Sequence, residues 1–246
     1  MTPKDYNDNF HNFHLIDSIN SAKEVVPLFF NYFKPSSVLD VGCGLGSWLS
    51  VFKEKGCEVF GIDGDYVIKE DLVIDKEDFK SFNLNEAYNL NKKFDLAISL
   101  EVAEHILPQN AQTYIHSLSL HSDIILFSAA VPGQEGTLHF NEQDNNYWIE
   151  KFYQNGFQCI DFLRHKIWNN SKISWWYRQN ILIFIKKSEI DNLLYEPIVE
   201  QMNNTINTYI HPELLRYKTQ EVNKLQRILN SPISIIKYYL NGKKLT

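Results

Sequence analysis

Three glycines at alternate positions, Gly42, Gly44 and Gly46, follow an aspartate, Asp40, in the stretch VLDVGCGLGSWL. Bare backbone lets a ligand come close, and a helix that starts just beyond, near Trp48, presents free N–H groups to it. Such a turn suits a nucleotide. The spacing is G-x-G-x-G, not the G-x-G-x-x-G of dinucleotide folds, and no Gly-Lys-Ser/Thr follows as in a phosphate loop. A pyrophosphate is therefore disfavoured, and a ligand with a positive centre near Asp40 is favoured. Two other stretches gather titratable groups: SLEVAEH supplies Glu101, Glu104 and His105, and GTLHFNEQ supplies His139, Asn141 and Glu142. A third, RHKIWNNSKISWWYRQN, mixes Trp168, Trp175, Trp176 and Tyr177 with Arg164, Arg178 and Gln179.

The elements that must position these groups show in the hydropathy pattern. Strand-like segments at 38–41, 57–63, 79–84, 94–100, 123–129, 157–162 and 180–185 alternate with helix-like segments at 47–55, 108–120 and 145–155. Alternation of this kind implies a parallel sheet wrapped on both faces. Residues 1–20 read as an irregular lead-in. SAKE at 21–24 fits a capping box, with Ser21 as N-cap and Glu24 reaching back. The helix that follows is expected to be kinked or shortened by Pro27 and ended by Pro35. After Lys187 the pattern turns helical, punctuated by Pro197, Pro212 and Pro232. The domain expectation is 1–187 for the sheet domain and 188–246 for a C-terminal helical extension. That extension suits packing or a homodimer, and its amphipathic end, ISIIKYYLNGKK, suits a partner surface.

Bulk properties narrow the partners. A net charge of −6 argues against nucleic acid and against docking on an anionic membrane, since both select basic faces. Cys43, Cys57 and Cys159 are scattered without a CxxC pair, so neither a disulfide framework nor a zinc site is expected. Three reduced thiols fit a cytoplasmic location. The first residues lack the apolar core of a signal peptide, and no apolar run approaches the ~18 residues that cross a bilayer.

LDVGCGLGSW resembles the first motif of class I S-adenosylmethionine-dependent methyltransferases. VFGIDGDY, FNL and FDLAISLEVAEHI resemble the later motifs of that family, in order, and the likeness covers roughly residues 20–187. It implies a Rossmann-like doubly wound sheet of seven mostly parallel strands, the last antiparallel. It also implies S-adenosylmethionine as cofactor and S-adenosylhomocysteine as product. The first motif assigns Asp40, Gly42, Cys43, Gly44, Gly46 and Trp48 to that cofactor. The second places Asp63 on the ribose hydroxyls, beside Gly64, with Tyr66 against the adenine. Asn83 stands where the family often has an acid facing the adenine amino group, with Leu84 beside it, and Leu100 ends the fourth strand.

Methyl transfer from a sulfonium is an in-line displacement, so alignment dominates, and a hydroxyl acceptor also needs a base. His139 is the first choice because imidazole titrates near neutral pH. The alternative is that it orients a loop. Glu142 and Glu101 are its acid partners or acceptor-binding groups, and His105 is a further candidate. No tight acidic cluster shows, so no metal is expected. Trp168, Trp176 and Tyr177 read as an acceptor wall, with Arg178 as a fork for phosphate. The alternative is a hydrophobic plug over the sheet edge. The wording from LEVAEH to WYRQN resembles methyltransferases found with bacterial capsule and surface-polysaccharide genes. The acceptor so implied is an oxygen of a sugar, a nucleotide-activated sugar or a phosphoryl or phosphoramidate group. SLEV replaces the D/N-P-P-Y/F of amino methylators, which weakens an exocyclic amine. A domain that binds the cofactor without catalysis is the non-enzyme alternative.

Overall fold

The structure is a computed structural model that describes residues 8–192 and 206–229. Its seven strands are β1 (Ser37–Val41), β2 (Glu58–Asp63), β3 (Phe79–Ser81), β4 (Leu96–Leu100), β5 (Ile124–Ser128), β6 (Phe157–Ile160) and β7 (Leu182–Lys186). They form one sheet in the order β3-β2-β1-β4-β5-β7-β6. All neighbours pair parallel except β7, which runs antiparallel to both β5 and β6. This is the Rossmann-like arrangement expected. From β1 the chain builds outward to β2 and β3, then returns to place β4 on the other side. The crevice beyond the carboxyl ends of β1 and β4 is therefore the switch point, where ligands bind in open α/β sheets.

The helices are α1 (Asp8–Phe30), α2 (Ser47–Glu54), α3 (Ala111–Ser119), α4 (Asn145–Gln154), α5 (Leu163–Ile167), α6 (Trp175–Asn180) and α7 (Pro212–Leu229). Strand residues alternate between two cores. Val38, Leu96 and Ile98 point to the face covered by Val25, Phe29, Leu49 and Phe52. Leu39, Val41 and Ala97 point to the opposite face, against Tyr114, Ile115, Trp148 and Phe152. Central strands buried on both faces read as continuous apolar runs, which is why β1 and β4 stand out in the sequence.

Three expectations are corrected. Residues 8–20 are helical, not irregular: α1 runs unbroken from Asp8 to Phe30. Ser21 is therefore inside a helix, not its N-cap. Its Oγ donates to Asp17 O at 2.7 Å and accepts from Ser174 N at 3.0 Å. Glu24 reaches across to Asn170 Nδ2 and Lys172 Nζ rather than back along its own helix. The segment between β6 and β7 forms two short helices, α5 and α6, and Asn180 closes α6 instead of opening β7.

Residues 1–209 form one compact unit and residues 210–246 a second, which contains α7. Pro197, Pro232 and the amphipathic end lie outside the described residues. Among the described residues no helix is long and apolar enough to cross a membrane.

Candidate active site

A cleft of about 1110 Å³ opens at the switch point. Its floor is the glycine turn between β1 and α2. Gly42 N donates to Ile62 O at 2.8 Å, which ties the turn to β2. Gly42 has φ +87°, and a Cβ there would stand 2.4 Å from Val102 Cγ2, so both conformation and space demand glycine. Gly44, also left-handed at φ +53°, would meet no protein atom with a Cβ, and its N–H turns to Asp63 instead.

Asp63 ends β2 and faces that turn. Its carboxylate accepts from Gly44 N at 2.6 Å, from Gly64 N at 2.6 Å and from the Tyr66 hydroxyl. Burial pushes its pKa up, and these bonds oppose the push. Asp40, on β1, is more strongly raised, first by burial and then by the charge of Asp63 beside it. Two buried acids at the mouth of a glycine turn fit a nucleoside with a cationic group. A carboxylate suits the two adjacent ribose hydroxyls because it offers several lone pairs. The Tyr66 hydroxyl is the bond on Asp63 that a ligand hydroxyl would most readily replace. Asn83 closes a turn: its Oδ1 accepts from Asn85 N at 3.1 Å and its Nδ2 donates to Glu86 at 2.8 Å.

Of the residues expected to hold the cofactor, Asp40, Gly42, Cys43, Gly44, Trp48, Asp63, Gly64, Tyr66, Asn83, Leu84 and Leu100 all line the cleft. Gly46 does not. It lies behind the turn with φ +88°, where a Cβ would strike Ile74.

The other end of the cleft is built by the loops after β4 and β5. Glu101 sits just past β4 with φ +58°, and Glu135 and Leu138 share that left-handed conformation at φ +57° and +61°. Such backbone costs free energy and gathers where side chains must be aimed. The Glu101 carboxylate accepts from Gln134 Nε2 at 2.8 Å and from Asn180 Nδ2 at 3.1 Å. Burial raises its pKa despite these bonds. His139 Nδ1 pairs with Glu142 Oε1 at 2.8 Å, and the second oxygen of Glu142 accepts from Gly133 N at 2.9 Å. His105 Nδ1 lies 3.1 Å from Leu138 O. The two imidazoles meet edge to face with centroids 4.8 Å apart. Burial, then the neighbouring His139, lowers His105 to about 4, so it is neutral near pH 7. Gly136 lies against the His139 ring, where a Cβ would come within 2.3 Å of Nε2.

Glu101, His105 and His139 therefore share one wall with Glu142 behind it, as SLEVAEH and GTLHFNEQ suggested. Trp176 and Tyr177 also line the cleft, while Trp168 and Arg178 do not. Arg178 is buried and donates to Trp168 O at 3.1 Å. Arg164 is likewise internal, paired with Asp161 and donating to Gln179 O at 3.2 Å. Sequence reading missed Leu15 and Ser18 of α1, which line the cleft, because those residues read as lead-in. It also missed Gln134 and Asn180. Asn180 ends a stretch singled out for other residues, and Gln134 lies two residues before another.

The sheet order and the cleft at its switch point define a Rossmann-like methyltransferase architecture. Residues 19–180 match the family described as a methyltransferase domain, and the chain belongs to that family. No curated protein matches the chain. Among solved structures, it resembles magnesium protoporphyrin IX methyltransferase from Synechocystis with bound S-adenosylhomocysteine, at 20% identity and TM-score 0.52. That match covers 74% of this chain and 89% of the other. It also resembles DesVI from Streptomyces venezuelae, at 13% identity and TM-score 0.55, over 76% of this chain and 99% of the other. A third is an S-adenosylmethionine-bound amino pentose methyltransferase of calicheamicin biosynthesis from Micromonospora echinaspora. It matches at 12% identity and TM-score 0.51, over 69% of this chain and 92% of the other. At these identities the likeness is one of fold.

Proposed function

We propose that this chain is an S-adenosylmethionine-dependent methyltransferase acting on a hydroxyl oxygen of a small polar acceptor, a sugar or nucleotide-activated sugar of a bacterial surface polysaccharide. The cofactor, when bound, supplies an electrophilic methyl group. Asp63, oriented by the Gly44 and Gly64 amides, and Tyr66 hold its nucleoside, and Asp40 faces its cationic portion. The observation that carries the acceptor reading is the wall of Glu101, His105 and His139 at the other end of the same cleft. The acceptor hydroxyl is activated at the two imidazoles, with His139 kept in place by Glu142.

The charge of the cleft favours a hydroxyl over a phosphoryl or phosphoramidate oxygen. Six acids line it, Asp40, Asp63, Asp65, Glu101, Glu104 and Glu135, and the described lining contains no lysine or arginine. An anionic acceptor oxygen would want cationic donors.

Calorimetry on the full chain tests the first half: S-adenosylhomocysteine should bind with a Kd on the order of micromolar. A screen of neutral sugars, nucleotide sugars and phosphoramidates for release of S-adenosylhomocysteine tests the second. No binding would end the methyltransferase reading. Turnover of phosphoramidates alone would move the acceptor to the anionic class. His139→Ala should lower turnover on the true acceptor on the order of 10²-fold or more, with cofactor affinity unchanged.

The C-terminal unit is assigned to self-association. Leu215, Val222 and Leu225 of α7 are exposed, at spacings of about two turns and then one along the helix. Sedimentation of the wild type and of a Leu215→Lys, Val222→Lys double variant should show a dimer and a monomer respectively. A monomeric wild type removes this assignment.

A further inference from the structure

Behind His105 and His139 lies a group the methyl-transfer reading does not use. Glu104 is 1% exposed, and neither of its carboxylate oxygens makes a hydrogen bond among the described residues. The backbone amides of Ala130 and Glu104 approach it, and the carboxylates of Glu101 and Glu142 are its charged neighbours. A buried carboxylate beside two other acids is costly unless a cation or a proton compensates it.

The histidines beside it are arranged to offer lone pairs. Nδ1 of His139 is engaged by the Glu142 carboxylate and Nδ1 of His105 by the Leu138 carbonyl. Both acceptors draw a proton onto Nδ1, which leaves Nε2 of each ring bare. A carboxylate or carbonyl behind each imidazole is how metal-binding histidines are held in the right tautomer. Donor atoms of Glu104, His105 and His139 lie within 4.8 Å of one another.

We infer that Glu104, His105 and His139 form a site for one divalent transition-metal ion, in the range Mn²⁺ to Zn²⁺, at the acceptor end of the cleft. Two imidazoles and one carboxylate select such ions over Mg²⁺ or Ca²⁺, which prefer all-oxygen sets. Ligands on one ion stand about 3–3.5 Å apart, so the three donors close by an ångström or so, within the reach of side-chain rotation. Three protein ligands leave coordination positions open toward the cleft, where an acceptor oxygen would bind. The inference deepens the proposed function by naming how the acceptor is activated. His139 serves as a ligand in this arrangement and not as the base expected from the sequence, Glu142 orients it, and the ion would acidify the bound hydroxyl so that its proton passes to solvent in the open cleft.

The test uses the full chain, stripped with chelator and titrated with Co²⁺, whose visible absorption reports coordination. One equivalent should bind. Glu104→Gln and His139→Asn should each weaken binding by roughly 10–100-fold or more. His116→Gln, which alters an exposed histidine paired with Asn155, should leave it unchanged. Wild type that binds no Co²⁺ below about millimolar, or binding that survives both site variants, overturns the inference. If either variant fails to melt cooperatively, pulsed electron paramagnetic resonance on the Mn²⁺-loaded wild type decides. Nitrogen couplings from imidazole support the site, and their absence overturns it. Loss of S-adenosylhomocysteine binding with Co²⁺ binding intact would instead sink the cofactor reading and leave the metal site standing.

Discussion

Asp40 and Asp63 were legible in the sequence because both sit at strand ends flanking a glycine turn. Their burial was not, and it changes what each substitution should do. Both carboxylates have pKa values raised by burial. A raised acid binds protons more readily in the folded chain than in the unfolded one. Its contribution to stability is full below the ordinary carboxylate range near about 4, and is lost as pH rises through the folded pKa. Asp40→Asn removes the buried charge while keeping the shape. The ligand-free variant should melt higher than wild type at pH 7, and its melting point should fall less between pH 5 and pH 7. At about 2–4 °C per kcal/mol for a domain of this size, the gain should show in thermal scans. Cofactor affinity should move the other way and weaken. A variant that melts lower at pH 7 would show that Asp40 is held by interactions that outweigh its burial. Asp63 differs, because Gly44 and Gly64 depend on it. Asp63→Ala should cost stability as well as affinity, because two half-buried N–H groups lose their hydrogen bonds to it, at about 0.5–1.5 kcal/mol each.

At the scale of elements, the strands were readable because a central parallel strand must be apolar on both faces, and β1, β4 and β5 are. The helix starts were harder. S-x-x-E at residues 21–24 matches a capping box locally, yet a cap forms only if the chain before it leaves the helix. Here the chain continues, because Ala22, Val25, Val26 and Phe29 bury one face of α1 against the sheet. Ser21 is then free to serve another element. It accepts from Ser174 N, the residue before α6, across 153 positions of sequence. No local pattern carries that information, and the same holds for the Gln134–Asn180–Glu101 cluster, which joins two loops and the end of α6. Ser21→Ala leaves the Ser174 amide without this acceptor at a part-buried contact. The variant should lose about 1–3 kcal/mol, read as a lower melting point, and should keep cofactor binding when folded. An unchanged melting point would mean that α6 is positioned by its apolar packing alone.

At the scale of the whole molecule, the sign of charge is the property that sequence and site share. The chain carries −6, and the cleft concentrates acids on both its cofactor and acceptor ends. Clefts of one sign focus their field and change how fast and how tightly charged ligands arrive. An ion of charge two at the Glu104 cluster still leaves Asp65 and Glu135 in a lining whose described residues include no lysine or arginine. An anionic acceptor such as a nucleotide sugar should therefore be repelled on approach, and the repulsion should fade as salt screens it, since the Debye length is about 10 Å at 0.1 M. Raising ionic strength from about 0.05 to 0.3 M should lower KM for an anionic acceptor and leave KM for a neutral sugar almost unchanged. Steady-state kinetics with one acceptor of each kind, at saturating cofactor, makes the comparison. A KM for the anionic acceptor that rises with salt would mean attraction instead. The acceptor would then meet a cationic surface outside this cleft, and the assignment of the Glu101–His105–His139 wall as its binding place would have to be given up.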